Sequence, residues 1–275
     1  MPEDPGSGPG ASGPPVLLYE TGDGVARVTI NRPERRNAMS WEVLLRLRDT
    51  LDQARADPEV RVVVLGGAGE DAFCAGADLS AMSGAAAPHA GLVEQHTSRG
   101  VLAEVFETMW RLGKPTIARV QGWALAGGFG LALASDLVVA SERARFGAPE
   151  INVGLWPYMI TVPMVRSMPP KRALELMLTG RIVDAGEAER LGFVTQVVSH
   201  ERLDGAVDEL ATTLASKSPA VMKLGRDAFY AVWDMAAADA LRHLHAMLTL
   251  TTLTEDAAEG AAAFLEKRPP QWRGR

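Results

Sequence analysis

From residue 16 to about residue 199, short aliphatic runs alternate with amphipathic helical stretches; beyond that the strand signal stops. This alternation is the strongest constraint on the fold. Short strands are unstable alone, and strands separated by helices pair mainly in parallel, which makes the chain an α/β protein. Strands are expected at 16–20 and 25–31, joined by the turn Gly22-Asp23-Gly24, and at 60–65, 115–120, 137–140 and 194–198. Ser40 can cap a helix through about Ala56, with Leu44, Leu47, Leu51 and Ala54 on one stripe. Residues 99–112 are also helical. The segments 201–216, 219–236 and 239–265 read as helix only. Periodicity by itself points to an open parallel sheet with helices on both faces, spanning 16–199, followed by a helical region at 200–275. No Pro- or Gly-rich linker separates them. Residues 1–15, rich in Pro, Gly and Ser, read as a disordered tail and lack the pattern of a targeting signal.

Composition narrows the function classes. Lys and Arg number 28 against 34 Asp and Glu, a net charge of −6. That balance argues against nucleic acid or an anionic membrane as the main partner, though it permits a local basic pocket for a phosphorylated ligand. The longest stretch free of charge and of Ser, Thr, Asn and Gln is 122–134, short of the ~20 residues of a membrane helix. Cys74 is the only cysteine, so there is no intrachain disulfide and no multi-cysteine zinc site. A reducing, cytoplasmic setting fits. The five histidines form no HExxH pattern, and His243 and His245 point to different faces of a helix, so no metal is expected.

Three segments carry chemical potential. In FCAGADL (73–79), small residues around Gly76 let the backbone approach a ligand closely; a plain strand-end turn with Asp78 as a helix cap is the alternative. GWALAGGFG (122–130) follows a strand and opens a helix. Its free N–H groups can hold a phosphate or a developing oxyanion, or its small residues can serve close helix–strand packing. It matches neither GxGxxG nor GxxxxGK[ST]. The third segment is Pro149-Glu150-Ile151, followed by GLWP (154–157), where Glu150 is either a helix cap or an acid/base. No GxSxG nucleophile elbow exists, and Cys74 has no histidine near it in sequence.

Taken in order, these segments resemble the crotonase (enoyl-CoA hydratase/isomerase) superfamily. The resemblance runs from about Val16 to Trp272 and includes NRPERRNA (31–38), AGADL (75–79), 122–130, ASD (134–136), FGAPE (146–150), LTG (178–180), 188–194 and FLEKR (264–268). It implies a right-handed spiral of ββα turns with C-terminal helices that build homotrimers, often paired into hexamers. It implies that the backbone amides of Ala77 and Gly127 grip the thioester oxygen of an acyl-CoA. Coenzyme A, as part of the substrate and with no separate cofactor, would lie along Arg35, Arg36, Ala38, Ala75, Asp78, Leu79 and Ser80, with Phe264 and Lys267 reaching a neighbouring subunit's ligand.

One departure bears on the reaction. Hydratases of the family place glutamates at two positions, and here the first is Gly130 while the second is Glu150. One carboxylate suffices to move a proton from C2 to C4 of a 3-enoyl thioester, so isomerisation is favoured over hydration. The alternative is a non-catalytic acyl-CoA-binding protein that lost one glutamate. Tyr158, Met159 and Ile160 replace the small residues usual after the Pro of this segment, which would narrow or reshape the acyl pocket, or supply a polar group in Tyr158.

Overall fold

A computed structural model describes residues 14–78 and 91–275 of the chain. The expected tail falls almost wholly outside these residues. Strands β1 (Leu17–Gly22) and β2 (Val25–Ile30) form a hairpin. Its turn places Asp23 and Gly24 at φ of 51° and 78°. Helix α1 (Trp41–Ala56) follows, and Ser40 accepts a hydrogen bond from the Val43 amide as its cap. The stripe Leu44, Leu47, Leu51 and Ala54 is buried, as the 3.6-residue period requires.

The chain then winds in repeated turns. Strand β3 (Val62–Gly67) leads to β4 (Ala72–Cys74) and helix α2 (Leu92–Trp110). Strand β5 (Thr116–Val120) leads to β6 (Trp123–Leu125) and helix α3 (Gly127–Ala134). Strand β7 (Leu137–Ser141) leads to β8 (Arg145–Gly147), a 3₁₀ turn (Pro149–Val153), and helices α4 (Tyr158–Ser167) and α5 (Pro170–Thr179). Strand β9 (Ile182–Asp184), α6 (Ala185–Leu191) and β10 (Gln196–Val198) complete this part. The first strand of each turn joins a six-stranded sheet, β1-β2-β3-β5-β7-β10, and the second joins a four-stranded sheet, β4-β6-β8-β9. Pairing is parallel except for β1–β2 and β8–β9.

The structure is therefore a ββα spiral, and the single open sheet suggested by periodicity alone is not what forms. The strands of the smaller sheet are only three residues long, too short to show a period of two. They are held by pairing with strands distant in sequence and by packing of the layer beneath. Phe129 of α3, Phe146 of β8 and Phe193 pack in a triangle with ring centroids 5.2–5.9 Å apart.

After β10, helices α7 (Leu203–Ala215), α8 (Pro219–Ala231), α9 (Ala237–Thr252) and α10 (Glu255–Glu266) follow. Leu203, Ala206, Val207, Ala211 and Ala215 of α7 cover Val62, Val64, Ile117 and Val139, closing the outer face of the large sheet. The helix expected over 239–265 is two helices. Thr254 accepts a hydrogen bond from the Ala257 amide and starts α10 afresh. Helix α8 is tied down by Asp136, which accepts from the Arg226 guanidinium at 2.8 Å, the Tyr230 hydroxyl at 2.5 Å and the Thr116 amide at 2.7 Å.

Candidate active site

Two backbone segments meet at one spot. The stretch 75–78 runs beside 36–39: the Ala75 amide donates to the Arg36 carbonyl, Met39 to Gly76, and Asp78 to Met39, at 2.8–3.0 Å. Gly76 has φ +98°, a conformation L side chains rarely adopt, and a Cβ there would lie 2.8 Å from the Ala126 Cβ and 3.6 Å from the Gly127 nitrogen. Glycine at 76 thus lets the first segment reach the start of α3. Gly127 is the first residue of that helix, where N–H groups lack intrahelical acceptors and carry positive potential. Ala126, just before it, sits at φ 51°, ψ −127°. Strained backbone of this kind costs of order 1–3 kcal/mol and concentrates at functional sites. Ala77 and Gly127 both line one cavity of about 510 Å³.

That cavity is lined mainly by hydrocarbon, including Met39, Trp41, Leu44, Leu102, Trp156 and Ile160. Glu150 is its one lining carboxylate among the described residues. The 3₁₀ turn at Pro149–Val153 delivers it, and Gly154 closes that turn in the left-handed region. Burial raises the Glu150 carboxyl above the ordinary glutamate range. Its Oε2 atom is buried with no hydrogen-bond partner among the described residues. A carboxyl raised by burial in a residue that lines an apolar cavity is of the kind that can exchange a proton with a bound ligand.

The other expected site residues divide into groups. Arg35, Arg36, Ala38, Ala75 and Asp78 are gathered along the paired segments, with both arginines exposed. Asp78 is 8% exposed and its carboxylate accepts from Arg32 at 2.9 Å, so within the protomer it braces the segment. Leu79 and Ser80 lie outside the described residues. Phe264 and Lys267 sit at the end of α10, exposed and away from the cavity lining. Sequence reasoning missed three contributors. Asn37 is fully buried and donates to the carbonyls of Ala68 and Ala72 at 2.9 and 2.7 Å, fixing the approach to β4. Arg99 and Asn152 also line the cavity. Asn37 stands inside the stretch NRPERRNA (31–38), whereas nothing in the local sequence marks the other two. Cys74 is fully buried and its thiol is pushed up to about 12 by burial, which removes it as a nucleophile.

Comparison with known proteins decides the family. The sequence model described as enoyl-CoA hydratase/isomerase matches residues 20–275. The chain belongs to the enoyl-CoA hydratase/isomerase family. A Thermus thermophilus protein that bears the name of an enoyl-CoA hydratase is 40% identical over 248 residues, covering 90% of this chain and 97% of its own. A carnitinyl-CoA dehydratase from Citrobacter koseri is 35% identical over 262 residues, covering 91% and 95%. The crystal structure of an enoyl-CoA hydratase from Mycobacterium smegmatis superposes with a TM-score of 0.89 at 34% identity, covering 94% of this chain and 99% of that one. These likenesses match the spiral and the helical C-terminal part described above.

Proposed function

We propose that this enzyme shifts the double bond of a 3-enoyl-CoA thioester to the 2-position, with Glu150 as its single acid/base. The observation that carries the reading is that Glu150, whose buried Oε2 has no hydrogen-bond partner among the described residues, lines the same cavity as Ala77 and Gly127. The carboxylate takes a proton from C2, and the electron pair of that C–H bond moves into the thioester carbonyl to give an enolate. The two amides donate to the enolate oxygen, and such donors strengthen as charge develops, typically ~10²–10³ in rate for one donor. The same carboxyl then returns the proton to C4 as the double bond re-forms between C2 and C3. One carboxylate serves both steps, which suits a chain with Gly130 at the other family position.

Coenzyme A would follow Arg35, Arg36, Ala38 and Ala75, where exposed arginines can meet its phosphates. Phe264 and Lys267 would complete the site from a neighbouring subunit of a trimer or a hexamer. The apolar, uncovered face of α9 supports such an assembly: Leu241, Leu244 and Leu248 lie on one side and are 39–69% exposed.

The test is to incubate the protein with panels of 2-enoyl- and 3-enoyl-CoA esters and to identify products by mass and double-bond position. The expected outcome is 2-enoyl product of unchanged mass, with Glu150→Gln slower by about 10²–10⁴-fold. Rapid water addition that survives Glu150→Gln would overturn the single-base mechanism. Departure of the Gly130 position from the two-glutamate pattern also motivates a second reading, a non-catalytic acyl-CoA-binding protein. Tight thioester binding without turnover of either panel would select it.

A further inference from the structure

The position of the missing glutamate is not an empty notch. A Cβ built on Gly130 would lie 2.5 Å from Ile160 Cγ2, 2.6 Å from Phe106 Cζ and 3.2 Å from Ile160 Cβ. Real side chains do not approach this closely, so the space above Gly130 is already filled with hydrocarbon. Ile160 is 2% exposed and Phe106 3%. Ile160 also lines the cavity itself. The side chain that covers Gly130 on one side is therefore part of the cavity wall on the other.

That wall has a chemical consequence. A water held inside a protein needs about three hydrogen bonds, and apolar cavities without such partners stay dry. Over the first turn of α3 the cavity offers Ile160 carbon and, among the described residues, no second carboxylate. Adding water across C2=C3 requires a water held beside C3, whose oxygen bonds to C3 while one of its protons ends on C2. Moving the double bond requires no water, because the proton leaves C2 and arrives at C4 on the same carboxyl.

We propose that Ile160 is the residue that commits this site to proton transfer by excluding the water that hydration would use. The inference rests on the isomerase reading above and deepens it, by making reaction choice depend on a hydrocarbon side chain on α4 as well as on the absence of a carboxylate. It predicts that the choice between isomerisation and hydration can be shifted without touching Glu150.

Two variants test it. Ile160→Ala clears space over Gly130, and Ile160→Thr keeps most of the volume while placing a hydroxyl on the wall. Each is checked for folding by circular dichroism and supplied with a 3-enoyl-CoA ester, and the 3-hydroxyacyl-CoA formed per 2-enoyl-CoA is measured by mass spectrometry. The expected result is a rise in that ratio of at least about tenfold, the scale on which one or two carbons govern an apolar pocket. Ile160→Thr carries the test if Ile160→Ala fails to fold. A wild type that isomerises, with a folded variant whose ratio is unchanged, overturns this inference alone. So does a wild type that adds water as readily as it isomerises. A wild type that turns over neither 2-enoyl nor 3-enoyl ester overturns the proposed function, and this inference with it.

Discussion

At the scale of single residues, environment decides chemistry here more than residue type does. Glu150 must be ionised to accept a proton, and burial raises its pKa above the usual carboxylate value. The acid limb of the activity profile is therefore expected to lie above the ordinary glutamate value of about 4.3, with activity rising as pH rises through it. Stability moves the opposite way. Because the folded state holds this proton more tightly than the unfolded chain, stability falls as pH rises from the unfolded value through the folded one. Glu150→Gln removes that penalty, so its melting temperature should exceed the wild type's near neutrality, with the gap narrowing towards acid. A wild type more stable than Glu150→Gln at neutral pH would contradict this. Cys74, fully buried and pushed up to about 12, should resist thiol reagents in the native protein and react only on unfolding. Rapid native labelling would show that β4 opens.

At the scale of elements, close backbone approaches build the site. The turn at Gly76 must pass Ala126 and the Leu125 carbonyl, which a Cβ would meet at 2.8 and 3.0 Å. Gly76→Ala combines that clash with a positive φ. It should destabilise the fold by more than ~1 kcal/mol and weaken thioester turnover together, since it pushes Ala77 away from Gly127. Denaturant melts and kinetics on one preparation check both. The C-terminal elements rely on a different device. Asp256 is 1% exposed and accepts from the Ser218 hydroxyl at 2.6 Å and from the amides of Arg273 and Gly274 at 2.7 and 3.1 Å. These bonds join α8, α10 and the chain's last residues. Asp256→Ala leaves those donors unpaired and should cost about 1–3 kcal/mol, read as a lower melting temperature with the site's product pattern unchanged.

At the scale of the whole molecule, the spiral closes its own core but leaves one helix uncovered. Helix α9 has no buried residue, and Leu241, Leu244 and Leu248 fall at i, i+3 and i+7 on one side of it. Exposed apolar stripes of this kind are characteristic of protein–protein contact surfaces. Leu241→Glu combined with Leu248→Glu is expected to lower the mass seen by light scattering from an oligomer towards the monomer. A wild type that runs as a monomer would remove the assembly and the cross-subunit role of Phe264 and Lys267.

The sequence by itself determined the elements whose signal is local. The helix at 41–56 announced its cap and stripe, β2 and β5 their apolar runs, and the Gly-rich turn before α3 its helix start. Ordered motifs made the family readable before any geometry, and pointed to Ala77, Gly127 and Glu150 as the residues whose roles are proposed above. Only the tertiary structure decided the rest. Three-residue strands have no periodicity to read, so the second sheet is set by pairing between strands distant in sequence, with Phe146 of β8 packing against Phe129 and Phe193. A helix break at Thr254 depends on one cap. Gly130 reads in sequence as a lost acid, and in space as a filled wall, because Ile160 and Phe106 come from distant helices that meet there only after the chain has folded.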